Sequence, residues 1–555
     1  MRSDAQNVQN ASVETTSESE RAARHTFSLA LVFYILIFLC AFPFFRYRLF
    51  PDMISYISVA RHYAHGEWSE AVNLYWSPLI SWLLVPFLLV GVSGIAAIKL
   101  LMLPAGACAL WSIWRLIQGF ELSAKVATAT LFTAALLVVA DALTGPGPDV
   151  IAMAITLIYC QIVFDPEYEH TPRAGALCGL LGALGFLTKA YLFWFFLIHF
   201  AIVTGLRAMR SSGMFKRRLF EHFVTGLLIF FVASTPWLLA LHNKSGRFTL
   251  GTTAAWNHRL VGPQSPGYPQ YASLIPPPSP HAVSMWEAPQ VDLLPEWHPL
   301  SSFADMLYEL KLIRFNLKRL SQFFLETSLF SYAALFAYLI WGMGFGGSAR
   351  YWWALVVFTI VLLPAGYVLV TIEERYIWAA LLLLLLAGAK VIDVSTRAAA
   401  GCARKLAIAG YVLSFVILPA RQIASGRHLD WNIAAASKAL QGRIPARSRL
   451  AACGHWDDSL KIAYLLDLSF YGSTGSTADQ DAAKSDLFPN ATQHPKPELT
   501  PAQIAHALQE DQIAYYLVWP DCRTLPPASL LADPLTLPAV PGAKIYRVTD
   551  LPPGR

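Results

Sequence analysis

The sequence predicts an α-helical polytopic membrane protein of about eleven spans, with interfacial or re-entrant helices in its first outer loop and a small C-terminal α/β extracytoplasmic domain. Three observations predict it. The 555 residues are 55% hydrophobic and only 14% charged, too apolar for a water-facing surface and too many for one compact core. Apolar windows of about 20 residues, the length a helix needs to cross hydrocarbon, recur from Phe27 to Pro419. The basic residues cluster in alternate loops, as they do on the cytoplasmic side of a membrane.

Residues 1–26 are polar at the start and are expected to form a disordered cytoplasmic N-terminus. The first apolar stretch, 27–45, is longer than a signal-peptide core and runs into Arg46-Tyr47-Arg48 without a small-residue cleavage site, so it reads as a retained span. Further spans are expected at 96–117, 123–142, 149–164, 174–188, 190–206, 220–241, 325–343, 351–371, 376–392 and 405–420. Segment 77–93 is apolar but carries Pro78, Pro86 and Gly91. As a span it would put the basic cluster from Arg207 to Arg218 outside. As a re-entrant or interfacial piece it leaves Arg21/Arg24, Arg115/Lys125, Arg207–Arg218, Arg350 and Arg397/Arg404/Lys405 all cytoplasmic, and that reading is adopted.

The membrane domain is thus expected over 27–420, in the cell (inner) membrane, with outer loops at 46–94, 143–148 and 242–324 and a soluble outer domain over 421–555. In that domain Arg449–Cys453 and Ile513–Val518 read as strands. Thr500-Pro501-Ala502-Gln503 opens a helix, with a Thr cap, Pro in the first turn and Gln in the capping-box position. A helix between two strands predicts a small parallel sheet. Cys453 and Cys522 both lie outside, where a disulfide is permitted, and their spacing leaves the pairing open. Cys40, Cys108, Cys160 and Cys178 read as small apolar filler. Residues 261–300, with Pro276-Pro277-Pro278, read as an irregular loop. The formal charge of +6 is set by loop positions and predicts no nucleic-acid partner.

Chemistry concentrates in the outer loops. Met53, Ile57, Ala60 and Ala64 recur at helical spacing, which predicts an amphipathic helix at the interface with Asp52 at its start. An Asp there is either an N-cap carboxylate or a general base whose acidity neighbouring cations tune.

The run Asp52…Tyr56…Ala60…Gly66…Trp68…Pro78-Leu79 resembles the first outer loop of the membrane-embedded glycosyltransferases of the C superfamily, in the protein O-mannosyltransferase and aminoarabinose transferase branch. Pro148-Asp149-Val150 starts a span, as an Asp does in that family's second outer loop. Gly185-Phe186-Leu187-Thr188-Lys189 and Glu374-Arg375-Tyr376 resemble two further signatures. The ordered pattern covers residues 27–392, with every piece at the outer end of a span.

The resemblance implies an inverting glycosyltransferase that moves a sugar from a polyprenyl-phosphate donor to an acceptor hydroxyl of a glycan, lipid or protein on the outer face. Asp52 would be the catalytic base, and Lys189 and Arg375 would bind the donor phosphate. Asp149 and Tyr56 are implied substrate-binding candidates. On the residues alone, Lys189 also fits a snorkelling lysine, Arg375 an ion pair with Glu373 or Glu374, and Asp149 a helix cap. Two departures leave the branch and the acceptor open: Met53 stands where many relatives have a second acid, and Ser77 where a Lys or His would precede Pro78.

The large outer loop adds Trp256, His258 and Arg259 as substrate-binding candidates, since aromatic faces and forked donors suit sugars and phosphates; they suit an aromatic belt equally. No metal is predicted, because the histidines lack metal-ligand spacing, and no cofactor is predicted. A transporter or flippase of lipid-linked precursors would call for a repeated half with paired broken helices, which the chain lacks. A polymer ligase would centre on cations and a histidine such as His258.

Overall fold

In the computed structural model of the chain, residues 2–344, 347–475 and 499–549 are described. Helix α1 (Arg2–Phe45) has neither Gly nor Pro before Pro43, and it runs back through residues 2–26, where disorder was expected. Helix α2 (Pro51–His65) starts with Pro at its first position and stops at Gly66, whose φ of 75° is the left-handed conformation that glycine adopts without strain. The sequence predicts α2 to be amphipathic, yet every residue from Met53 to Ala60 is buried. Its polar side is covered by protein instead of facing water.

After the single turn α3 (Trp68–Ala71), α4 (Leu79–Leu89) has eleven residues and so a length of about 16 Å, half the hydrocarbon thickness. It packs beside α2. Then follow α5 (Gly94–Gly119), α6 (Ala124–Thr144), α7 (Gly147–Phe164), α8 (Ala174–Thr188), α9 (Tyr191–Ala208) and α10 (Gly213–Ser245). Helices α8 and α10 approach backbone to backbone, because Gly175 and Gly179 leave no room for a Cβ against His222 and Gly226.

The long loop after α10 carries α11 (Thr253–Leu260) and a two-residue strand, β1 (Ser273–Leu274). Beyond it lie α12 (Phe303–Thr327), α13 (Ser331–Met343), α14 (Gly347–Val368), α15 (Trp378–Ser395) and α16 (Gly401–Gly426). The expected span 325–343 is not one helix: α12 and α13 meet at a bend of 99°. Ser328 breaks it, its hydroxyl accepting from the Phe330 amide at 3.2 Å and so taking a donor from the helical ladder. Residues 303–324, expected as loop, are helical. Among the described residues eight helices are long and apolar enough to cross a membrane, or nine if the α12–α13 pair counts as one span.

The C-terminal domain opens with α17 (Trp431–Leu440) and continues as β2 (Arg449–Cys453), α18 (Trp456–Leu465), β3 (Ser469–Ser473), α19 (Pro501–Glu510), β4 (Tyr515–Val518), β5 (Leu531–Thr536) and β6 (Lys544–Val548). The sheet order is β1-β3-β2-β4-β6-β5. Strands β3, β2 and β4 are parallel, and α19 carries the full Thr500–Gln503 capping box. Cys453 and Cys522 form a disulfide, with Cα atoms 5.6 Å apart. Because β1 of the loop pairs with β3, the loop adds a strand to the sheet of the C-terminal domain.

Candidate active site

Four chain breaks bring the charged residues together. Pro51 starts α2, so Asp52 falls in its first turn, where backbone N–H groups and the helix dipole favour an anion. Pro148 does the same for Asp149 at the start of α7. Lys189 lies in extended backbone between α8 and α9, and Arg375 sits in a single tight turn, Glu374–Ile377, ahead of α15.

The side chains interlock. Asp52 Oδ1 accepts the Trp286 indole N–H at 3.2 Å, and its Oδ2 lies 2.9 Å from Arg375 Nη1. The same Nη1 is 3.4 Å from Asp149, whose side chain is 1% exposed and whose other oxygen pairs with Lys189 Nζ. Lys189 Nζ also stands 3.9 Å above the Tyr376 ring, a cation–π placement. Glu373 grips the far edge of Arg375 at 2.7 and 3.3 Å and accepts the Tyr376 hydroxyl at 2.9 Å. Burial pushes the Glu373 carboxyl upward, but the Arg375 guanidinium and the Tyr376 hydroxyl outweigh it and hold the carboxyl at about 2.

Asp52, Tyr56, Asp149, Lys189 and Arg375 all line one cavity of roughly 300 Å³, within the size of a small-ligand site. Its walls include the aromatic rings of Tyr75, Trp76, Tyr268 and Trp286. Asp52, Glu373 and Arg375 also line a second cavity of roughly 450 Å³ that reaches Arg48, Gln422 and Leu429. The carboxylate and the guanidinium are therefore a wall shared by two spaces.

Trp256, His258 and Arg259 do not line either cavity. Helix α11 turns Thr253, Ala254, Asn257 and Leu260 toward the aromatic-walled one, a face of helical period, and the three candidates lie on its other sides. Trp256 is fully buried against Trp286 and Tyr75, His258 stacks on Trp297 at 4.4 Å, and Arg259 pairs with Glu296 at 3.2 Å. The ion pair that the sequence allowed between Arg375 and Glu373 forms, at 2.7 Å. Trp286 was not foreseen as part of the site, since nothing local marks it among the tryptophans of its loop. Among the described residues no cluster of three or more His, Cys, Asp and Glu side chains is placed to hold a metal ion.

No protein-family model and no curated protein sequence matches the chain. Solved structures do. Apo ArnT from Cupriavidus metallidurans superposes with a TM-score of 0.51 at 13% identity, over 93% of this chain and 97% of that one. The same enzyme bound to undecaprenyl phosphate gives 0.52 at 12% identity over the same shares. The Archaeoglobus fulgidus oligosaccharyltransferase, in complex with Zn and sulfate, gives 0.50 at 10% identity, over 88% of this chain and 67% of that one. The chain shares the fold of these structures. In this fold the interlocked charges lie against the loop that follows α10, whose Asn257, Tyr268 and Trp286 line their cavity.

Proposed function

We propose that the protein is an inverting glycosyltransferase that moves a sugar from a polyprenyl-phosphate donor to an acceptor hydroxyl, of a glycan, lipid or protein, on the outer face of the inner membrane. The observation that carries this reading is the convergence of Asp52, Asp149, Lys189 and Arg375 on one aromatic-walled cavity of a C-superfamily fold. That ArnT was solved with undecaprenyl phosphate supports the donor class.

Asp52 is the base. Its carboxylate takes the acceptor proton as the hydroxyl oxygen bonds to the anomeric carbon, and the bond from that carbon to the phosphate oxygen breaks on the opposite face. The electron pair leaves on the lipid phosphate. Lys189 and Arg375 stabilise that growing charge, and Glu373 fixes the guanidinium plane so that Nη1 stays directed at the reacting side. Tyr75, Trp76 and Trp286 offer flat apolar faces for a sugar ring. Two cavities meeting at Asp52 suit two substrates arriving separately. The stacking of His258 on Trp297 weighs against a ligase centred on that histidine.

The reading is tested by binding of undecaprenyl phosphate to the full-length protein in nanodiscs. Lys189→Ala is expected to weaken it at least tenfold while Asp52→Asn leaves it within twofold, as a phosphate clamp and a separate base require. Equal binding by Lys189→Ala and wild type would refute the phosphate assignment.

A further inference from the structure

The end of α2 remote from Asp52 holds a second buried charged cluster, which the reaction above does not use. His62 is 2% exposed, and both its ring nitrogens face carboxylates: Nδ1 is 2.5 Å from Glu67 and Nε2 is 2.8 Å from Glu287. Carboxylates accept hydrogen bonds, so an imidazolium, with an N–H on each ring nitrogen, fits both partners at once. Glu67 uses its other oxygen on His281 Nδ1 at 2.7 Å. The second oxygen of Glu287 is buried without a partner, so His62 is what balances that carboxylate.

Glu287 directly follows Trp286, whose indole donates to Asp52. Around that pair the backbone is tied to α2 and its neighbours. The Trp286 carbonyl accepts from Ser55 at 3.1 Å and from the Trp76 indole at 3.0 Å, and the Glu287 carbonyl accepts from Asn73 at 2.7 Å. Asp52 and His62, ten residues and about 15 Å apart on one helix, are thus held by consecutive residues of a loop more than 220 positions away in the chain.

We propose that His62 is a positioning residue: its doubly bonded imidazolium clasps Glu287 and so fixes the Trp286 indole on Asp52. Loss of the proton removes one of the two bonds, frees Glu287 and loosens the indole. The groups facing His62 set the sign. Burial alone pushes the imidazole down, but Glu287 and Glu67 outweigh it and hold it above 6.5. His281 reaches Glu67 from the loop side. Lys244 of α10, bonded to the Ser69 carbonyl at 2.8 Å, lies in the field of Glu287 and Glu70. Helix α4 brings no titratable group, and Arg61 is turned away over the Tyr464 ring of α18. The clasp therefore holds below that raised value and is lost as pH rises through it.

The catalytic meaning rests on Asp52 as base; the clasp itself does not. The test is ¹⁹F NMR of full-length protein carrying 5-fluorotryptophan in nanodiscs, with Trp286 identified among the 17 tryptophans by Trp286→Phe. In wild type the Trp286 line is expected to shift with a midpoint above pH 6.5. In His62→Gln that titration should vanish while the other lines stay in place. If His62→Gln fails to fold, Glu287→Gln serves instead and should move the midpoint down by at least one unit. A Trp286 line whose titration is the same in wild type and variant would overturn the clasp. Wild-type protein that transfers no sugar would overturn the reading of the reaction and leave the NMR result standing.

Discussion

Arg375 Nη1 lies 2.9 Å from Asp52 and 3.4 Å from Asp149, so one guanidinium nitrogen bridges carboxylates on the first turns of two helices nearly a hundred residues apart in the chain. Removing it would leave the buried Asp149 with Lys189 alone and Asp52 with no cation. Arg375→Ala is expected to lower sugar transfer at least a hundredfold and to lower the melting temperature in detergent. Arg375→Lys, which cannot hold Glu373 and Asp52 through a planar fork, should recover the melting temperature more than the activity.

Glu373 supplies a pH test. Its carboxyl is held down to about 2, below the ordinary 4.5, so its contribution to stability is fully present above 4.5 and is lost as pH falls toward 2. Melting temperature measured from pH 6 to pH 3 should fall more steeply in wild type than in Glu373→Gln. Parallel curves would show that the ion pair does not form.

The face of α11 can be read by substitution. Asn257 lines the aromatic cavity and His258 does not. Asn257→Ala is expected to raise the KM of one substrate three- to tenfold, about 1 kcal/mol for a lost hydrogen bond, with His258→Ala near wild type. The opposite pattern would favour the ligase chemistry in which a loop histidine is central.

Much of the fold was legible because lipid imposes long apolar windows and a charge asymmetry, both visible without partners. Helix α12 was not, because Lys311, Arg314, Lys318 and Arg319 interrupt its apolar positions and leave only a helical stripe, which a hydropathy window averages away. Strand β5 was hidden by Asp533-Pro534, which sits at a break in register with β6. In the site, Asp52, Asp149, Lys189 and Arg375 were legible because each stands at a helix end marked by Pro or by a motif. The burial of Ser55, Ser58 and His62 was not, since part of what covers α2 comes from a remote loop and from the C-terminal domain. The same distance in sequence hid Trp286, and it turned α11 so that Trp256, His258 and Arg259 miss the cavity.

The central claim is that Asp52 takes the acceptor proton while other residues hold the donor. It is tested most directly with Asp52→Asn in proteoliposomes supplied with polyprenyl-phosphate sugars and acceptors extracted from the native cell envelope. Transfer is expected to fall by a factor on the order of 10³, with undecaprenyl phosphate bound within twofold of wild type. Transfer by Asp52→Asn at the wild-type rate would contradict the account.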